Sequence, residues 1–143
     1  MRVFLWMVLW ALSFVSYSAN EQLNYEPQVV KLSGVIDLEL FPGPPNYENI
    51  KKGDAAENII FLKLDKPVDV VPAAGDKNEL SVPEHNLNII QVALMDEKDW
   101  NIVKEGEHMC IEGALFHEHT AHHHATVLIS VQKIAACPKS KAK

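Results

Sequence analysis

Hydrophobic and polar residues alternate along much of this chain, and the period of two predicts β-strands. Between Val29 and Phe41 the apolar side chains fall mainly at alternate positions, with charged or hydroxyl side chains between them. Alternation over this length is typical of a long strand with one buried face. Gly34 falls within the apolar row, where a residue without a side chain allows a strand to bend sharply. We therefore expect a first strand over residues 29–41 that curves around a core.

Four further segments predict strands. They are Ile59–Leu64, broken at Lys66–Pro67 and continued over Val68–Val71; Asn88–Met95; Met109–Leu115; and Val127–Val131, extended to about Ile134. Residues 20–28 are polar and are expected to be a lead-in. Between the third and fourth strands, Asp96 is a good N-cap and Gly106 a good terminator, so residues 96–104 are predicted to form a short helix.

Five strands, with one short helix between strands 3 and 4, are the pattern of an OB-like β-barrel. Gly113 falls in the inward row of the fourth strand, as Gly34 does in the first, which favours a closed and strongly bent sheet. A β-sandwich is the competing architecture, but its usual seven strands do not fit beside loops this long. The prediction is one all-β, five-stranded OB-like domain over residues 25–137.

The N-terminal segment has the order of a secretory signal peptide. Arg2 gives a positive end, Val3–Val15 is apolar and free of charge, and small residues follow. The apolar run of about 13 residues is shorter than the roughly 20 that span a bilayer. We expect residues 1–18 to be removed after Ser18, with Ala19 as the alternative site and an uncleaved anchor as the alternative reading. The mature chain is then periplasmic or secreted, in a Gram-negative bacterium.

The charge of the chain argues against a nucleic acid partner. The formal net charge is −6, and loss of Arg2 with the leader leaves 12 Lys+Arg against 19 Asp+Glu, or −7. Lysines cluster only in residues 138–143, which we expect to be a flexible basic tail. Binding to a phosphate backbone needs clustered positive charge. We therefore predict no nucleic acid partner, and no membrane contact after leader cleavage.

Cys110 and Cys137 are the two cysteines of the chain. In an oxidising compartment a pair of this kind favours a structural disulfide over a reactive thiol. A disulfide that closes the loop between Cys110 and Cys137, about 28 residues, stabilises the fold by roughly 3–4 kcal/mol in the chain-entropy model.

A proline loop, residues 41–48, is the first candidate contact surface. Its sequence FPGPPNYE contains three prolines and a glycine, which exclude both helix and strand. The predicted partner-binding residues are Phe41, Pro44, Pro45 and Tyr47 of this loop, together with Phe116 further along the chain. The alternative is a stiff connector whose aromatic side chains pack on the barrel.

A histidine connection, residues 116–124, holds five of the seven histidines and joins the last two strands. His117 and His119 are two residues apart and would project to one face of a strand, whereas Glu118 would point to the other. A turn after them would return later histidines opposite this pair, and imidazole suits Zn or Cu. The candidate metal ligands are His117, His119, His122, His123 and His124. The alternative is a structural role, in which the rings hydrogen-bond and order the hairpin.

The sequences FPGPPNYE at 41–48, HEHTAHHH at 117–124 and GALF at 113–116 together resemble a family of small exported bacterial proteins. The resemblance extends over residues 25–134. The domain of that family is one of unknown function, so the resemblance implies an exported bacterial domain and no particular activity.

The sequence favours binding over catalysis. No serine lies in a nucleophile-elbow context and there is no glycine-rich phosphate loop. A metal-bound water at the histidines is the one catalytic route left open. We expect an exported, non-enzymatic binding domain that uses the histidine connection, with a transition metal as a candidate ligand, and the proline loop. The alternatives are a periplasmic protein-interaction module, such as an immunity or inhibitor protein against a secreted toxin, and an envelope structural or stress protein.

Overall fold

The computed structural model describes residues 19–138. The predicted signal peptide, residues 1–18, and residues 139–143 of the predicted tail lie outside the described residues. Within the described part of the chain, no helix has the length and apolar character needed to cross a membrane.

The fold is all-β, as predicted. Its six strands are β1 Glu21–Asn24, β2 Val29–Pro42, β3 Ala56–Val71, β4 Glu84–Ala93, β5 His108–His117 and β6 Val127–Ala136. The helical structure described consists of two short 3₁₀ helices, Ile50–Lys52 and Glu97–Asn101.

Five of the six strands form a closed ring, in which each strand is hydrogen-bonded to a neighbour on both sides. β2 pairs antiparallel with both β3 and β5, and β6 pairs antiparallel with β5. β4 completes the ring, antiparallel to β3 and parallel to β6. The cyclic order is therefore β3-β2-β5-β6-β4 and back to β3. The sixth strand, β1, lies parallel to the C-terminal end of β3, with Leu23 opposite Val70.

The predicted lead-in over residues 20–28 is wrong for Glu21–Asn24, which forms β1. This strand is held by its neighbour, since its backbone pairs with Val68–Val71. Leu23 is its one buried residue, and Tyr25, just after it, is only 1% exposed. A single buried side chain in four residues leaves no periodic signal to read.

The predicted helix over residues 96–104 is also corrected. Asp96 caps it as expected, because its carboxylate accepts a hydrogen bond of 3.0 Å from the Lys98 N–H. However, the helix is of the 3₁₀ type and ends at Asn101. The chain then buries Val103 against the core, and this tertiary contact replaces a second helical turn.

The boundaries of β2, β3 and β4 differ from those expected, and β2 includes Phe41 and Pro42, which the proline loop was predicted to exclude from any strand. β3 runs on through Pro67 as one strand, and its register with β4 shifts between Lys63 and Val68. Proline is tolerated at such an irregularity because no ladder hydrogen bond is required of it. β4 begins at Glu84, four residues before the predicted start.

The core lies inside the ring and needs two glycines. A Cβ on Gly34 would lie 2.1 Å from the Lys63 carbonyl oxygen, and one on Gly113 would lie 2.2 Å from that of Ser130. Any side chain at these positions would push neighbouring strands apart, so both glycines permit a close approach of the backbones, whereas the sequence predicts a sharp bend there. The predicted disulfide between Cys110 and Cys137 is present and ties β5 to the segment after β6, with a Cα–Cα distance of 4.9 Å.

A second apolar layer lies on the outer face of the sheet. Phe61 is opposite Gln91, Gln91 is opposite Leu128, and Leu128 is opposite Phe116, so the four form one row across β3, β4, β6 and β5. Phe61 and Leu128 are buried although they do not belong to the core cluster inside the ring. Outward positions on a single sheet are normally solvated, so the burial of Phe61 and Leu128 means that another part of the chain covers this row.

Candidate functional site

The two segments singled out in the sequence lie against each other. The Phe41 ring stacks on the His124 ring, with a centroid distance of 3.9 Å and an interplanar angle of 18°. The Tyr47 hydroxyl oxygen lies 2.9 Å from Nε2 of His122. The two candidate surfaces are therefore one, which we call the loop surface (residues 41–48 and 116–124).

A buried carboxylate organises the proline loop. Asp54 is 6% exposed and accepts backbone hydrogen bonds from Asn46 at 3.0 Å, Glu48 at 2.9 Å and Asn49 at 2.7 Å. These bonds, that from Asn49 foremost, lower the pKa of Asp54. Tyr47 sits between these residues with φ of 58°, a left-handed conformation that costs non-glycine residues roughly 1–2 kcal/mol. The hydrogen bonds to Asp54 thus stabilise the loop in this conformation.

A buried carboxamide organises the histidine connection. Gln91 faces outward from β4, yet it is only 6% exposed. Its Nε2 donates to the His122 carbonyl oxygen at 2.8 Å, and its Oε1 accepts from the His124 N–H at 2.6 Å. Both ends of the amide are therefore satisfied by the backbone of the connection. We call this pair of bonds the Gln91 clamp, and it folds the connection over the outer apolar row.

His122 links three elements of the molecule. Its Nδ1 lies 2.9 Å from Oε2 of Glu57 on β3, and its Nε2 lies 2.9 Å from the Tyr47 hydroxyl oxygen. An ionised carboxylate only accepts hydrogen bonds, so Nδ1 carries a proton and a neutral His122 accepts the Tyr47 O–H at Nε2. The His122 side chain is 52% exposed, which leaves this carboxylate–imidazole–phenol relay open to small molecules.

His119 and His123 pack as a pair on Phe116. Their ring centroids lie 4.8 Å apart, and each ring meets Phe116 edge to face. The His119 backbone N–H donates to Nδ1 of His123 at 3.0 Å. Burial lowers the pKa of His123, and the neighbouring His119 lowers it further.

His117 belongs to a different environment. Its Nε2 lies 3.2 Å from Oε1 of Glu84, and its ring lies edge-on to Tyr25. β5 ends at His117, so His119 is not held in the strand geometry that would have aligned the two rings.

Metal binding by the five histidines is not preformed. Within residues 19–138, no three His, Cys, Asp or Glu side chains are grouped so as to hold an ion. Several imidazole nitrogens already have hydrogen-bond partners: Nε2 of His117, both ring nitrogens of His122, and Nδ1 of His123. Zn or Cu binding stays a prediction, and an ion held through any of these four nitrogens would have to displace the bond that the nitrogen makes.

The residues that sequence reasoning missed are those that hold the loops. Asp54 follows Gly53 in a polar segment, and its role as acceptor for the proline loop has no local signature. Gln91 is a polar residue between Ile90 and Val92, which is also what an exposed strand position looks like. Glu57 carries no signal, because its partner His122 is 65 residues away.

Residues 89–135 match the family model described as "Domain of unknown function (DUF4431)". The match confirms the resemblance to a domain-of-unknown-function family. The matched segment includes Gln91 and the whole histidine connection, whereas the proline loop lies outside it. Neither the curated proteins nor the solved structures gave a match to this chain.

Replacing Gln91 tests the clamp. Gln91→Met keeps a side chain of similar length but leaves the His122 carbonyl and the His124 N–H without their partner. We expect the free energy of unfolding to fall by roughly 2 kcal/mol or more, the cost of orphaned polar groups. Gln132→Met is the matched control, because Gln132 is exposed on β6. Equal urea-unfolding midpoints for the two variants would contradict the clamp.

The lowered pKa of His123 predicts a pH effect on stability. Because its folded-state pKa lies below the ordinary 6.5, protonation favours the unfolded chain. The neutral His123 ring therefore contributes its full stabilisation above pH 6.5. This stabilisation is lost as the pH falls from 6.5 through the lower folded-state pKa. Thermal unfolding of the native chain should therefore lose more stability from pH 7 to about 5 than that of His123→Gln, which has no titrating ring. Parallel losses would show that His123 is not the titrating group.

Proposed function

We propose that this chain is an exported binding domain whose loop surface binds a protein partner. The observation that carries the proposal is the union of the two loops through Phe41–His124 and Tyr47–His122. Two segments far apart in the sequence, each rich in rings, form one continuous surface. Binding sites commonly combine aromatic anchors with polar groups in this way.

We further propose an OB-like barrel as the architecture. The five-strand ring supports it, since residues 43–55 join its first two strands and the histidine connection joins its last two. In OB folds these two loops, with the face of the second and third strands, form the ligand site. Here that face belongs to β3 and β4. It carries a depression of about 230 Å³ bordered by Asn58, Trp100, His122 and His123.

The loop surface suits a protein better than a metal ion. Both ring nitrogens of His122 are engaged, so an ion ligated through Nε2 would have to displace the Tyr47 hydroxyl. By contrast, Pro44 and Pro45 are exposed and offer apolar contacts without rearrangement. Rigid loops also lose little conformational entropy on association, and the four hydrogen bonds to Asp54 make this loop rigid.

The charge of the chain indicates the chemistry of the partner. Glu48 and Glu118 are exposed on the loop surface, and the whole chain carries −6. A complementary partner carries a basic patch, which would accelerate association at low salt. An inhibitor or immunity protein that inserts a fixed loop into a basic cleft is the form of this proposal that the rigid proline loop favours. The disulfide is consistent with a periplasmic or secreted location.

Site-specific crosslinking tests the surface directly. A photoreactive benzoylphenylalanine is placed at Pro45 or at Thr120, both exposed, and in a control at Lys104, which precedes the opposite end of β5. We expect Pro45 and Thr120 to crosslink one and the same protein in the envelope, with a yield that falls as salt rises. No adduct from either loop position, or an equal yield from Lys104, would reject the proposed surface.

A further inference from the structure

We propose that Tyr47 is a covalent acceptor site: a phenol that takes an acyl group from a neutral ester, with His122 as its base and Glu57 as a positioning residue. The proposal goes beyond partner binding and does not depend on it. It describes a stoichiometric modification of the chain rather than turnover.

The relay has the geometry of an assisted nucleophile. The Tyr47 hydroxyl oxygen lies 2.9 Å from Nε2 of His122, and Nδ1 of His122 lies 2.9 Å from Oε2 of Glu57. A nucleophile within hydrogen-bond reach of a base, with a third group that orients the base, is the arrangement found in covalent catalysis. Since the Glu57 carboxylate fixes the proton on Nδ1, Nε2 faces the phenol with its free lone pair.

Both ends of the relay are held by buried polar groups. The Tyr47 N–H donates to the Gly43 carbonyl at 3.0 Å, and the residues beside Tyr47 are held by Asp54. On the other side, the Gln91 clamp fixes the His122 carbonyl. Tyr47 also has a left-handed φ of 58°, and strained backbone concentrates at functional sites.

The step balances without any oxidant or metal. The phenol oxygen attacks the ester carbonyl carbon while Nε2 of His122 takes the phenolic proton. The new bond is the carbon–oxygen bond of an acyl-tyrosine, and the bond that breaks is that to the leaving aryl oxide. His122 then gives its proton to the aryl oxide, which departs as a neutral phenol. Glu57 stabilises the imidazolium that exists between these events.

A neutral ester is the substrate class that fits this relay. The one formal charge among the three groups is that of the Glu57 carboxylate, which would repel an anionic donor. The exposed side of His122 adjoins the depression that contains Trp100 and Asn58. An aryl leaving group can pack on the exposed Trp100 ring, which is 48% accessible.

Tyr25 provides a control within the same chain. Its ring is buried, and its hydroxyl donates to the Val82 carbonyl, which cannot act as a base. Burial raises the pKa of Tyr25 to about 12. Tyr47 therefore has the two properties that acyl transfer requires, solvent access and a neighbouring base, whereas Tyr25 has neither.

The test uses p-nitrophenyl acetate as the probe, release of p-nitrophenol as the rate, and peptide mass spectrometry to locate the acetyl group. We expect one equivalent per chain on Tyr47 and none on Tyr25. Tyr47→Phe, which keeps the ring, should abolish the fast phase. His122→Asn should slow it roughly 100-fold, the lower end of the usual range for a general base.

Glu57→Gln tests whether Glu57 positions His122 for acyl transfer or only stabilises the fold. This variant keeps the size of the side chain but loses the charge that fixes Nδ1, so the pH profile of acetylation should shift while the fold is retained. Acetylation that falls mainly on lysines, or a Tyr47 rate unchanged in His122→Asn, would overturn the proposal.

Discussion

One buried carboxamide determines how the loop surface of this molecule is built. The Gln91 side chain replaces water at the His122 carbonyl and the His124 N–H with bonds of 2.8 and 2.6 Å. An amide in this position must be fully satisfied, because each unpaired polar atom would cost about 1–3 kcal/mol. That requirement fixes where the histidine connection crosses the sheet. Its position then brings His122 to Tyr47 and His124 to Phe41.

The clamp also explains why the histidines have unequal roles. His124 stacks on Phe41 and helps to cover the outer apolar row, whereas His122 stays half exposed between Glu57 and Tyr47. His123 is partly buried and lies beside His119, and both features lower its pKa. Neighbouring histidines thus make different contacts. His124 stacks on another ring, His122 belongs to a hydrogen-bond relay, and His119 and His123 form an imidazole pair.

Local patterns predicted the parts of the fold that depend on local physics. The long alternation of β2, the Asp96 cap and the two inward glycines could be read from neighbouring residues. The parts that depend on distant contacts could not. β1 exists because β3 offers it a partner, and the Tyr47–His122 contact joins residues 75 positions apart. Spacing within the histidine connection predicted a shared face for His117 and His119, but the strand ends at the first of them.

The most direct measurement of the central claim is the hydrogen-exchange rate of the His124 amide in the native chain, compared with that of Ala121 in the same connection. His124 donates to a buried acceptor, whereas Ala121 is exposed at the turn. The clamp predicts that the His124 amide exchanges far more slowly than the Ala121 amide and is among the protected amides of the chain. Equally fast exchange of both amides would contradict the clamp, and with it the joined loop surface.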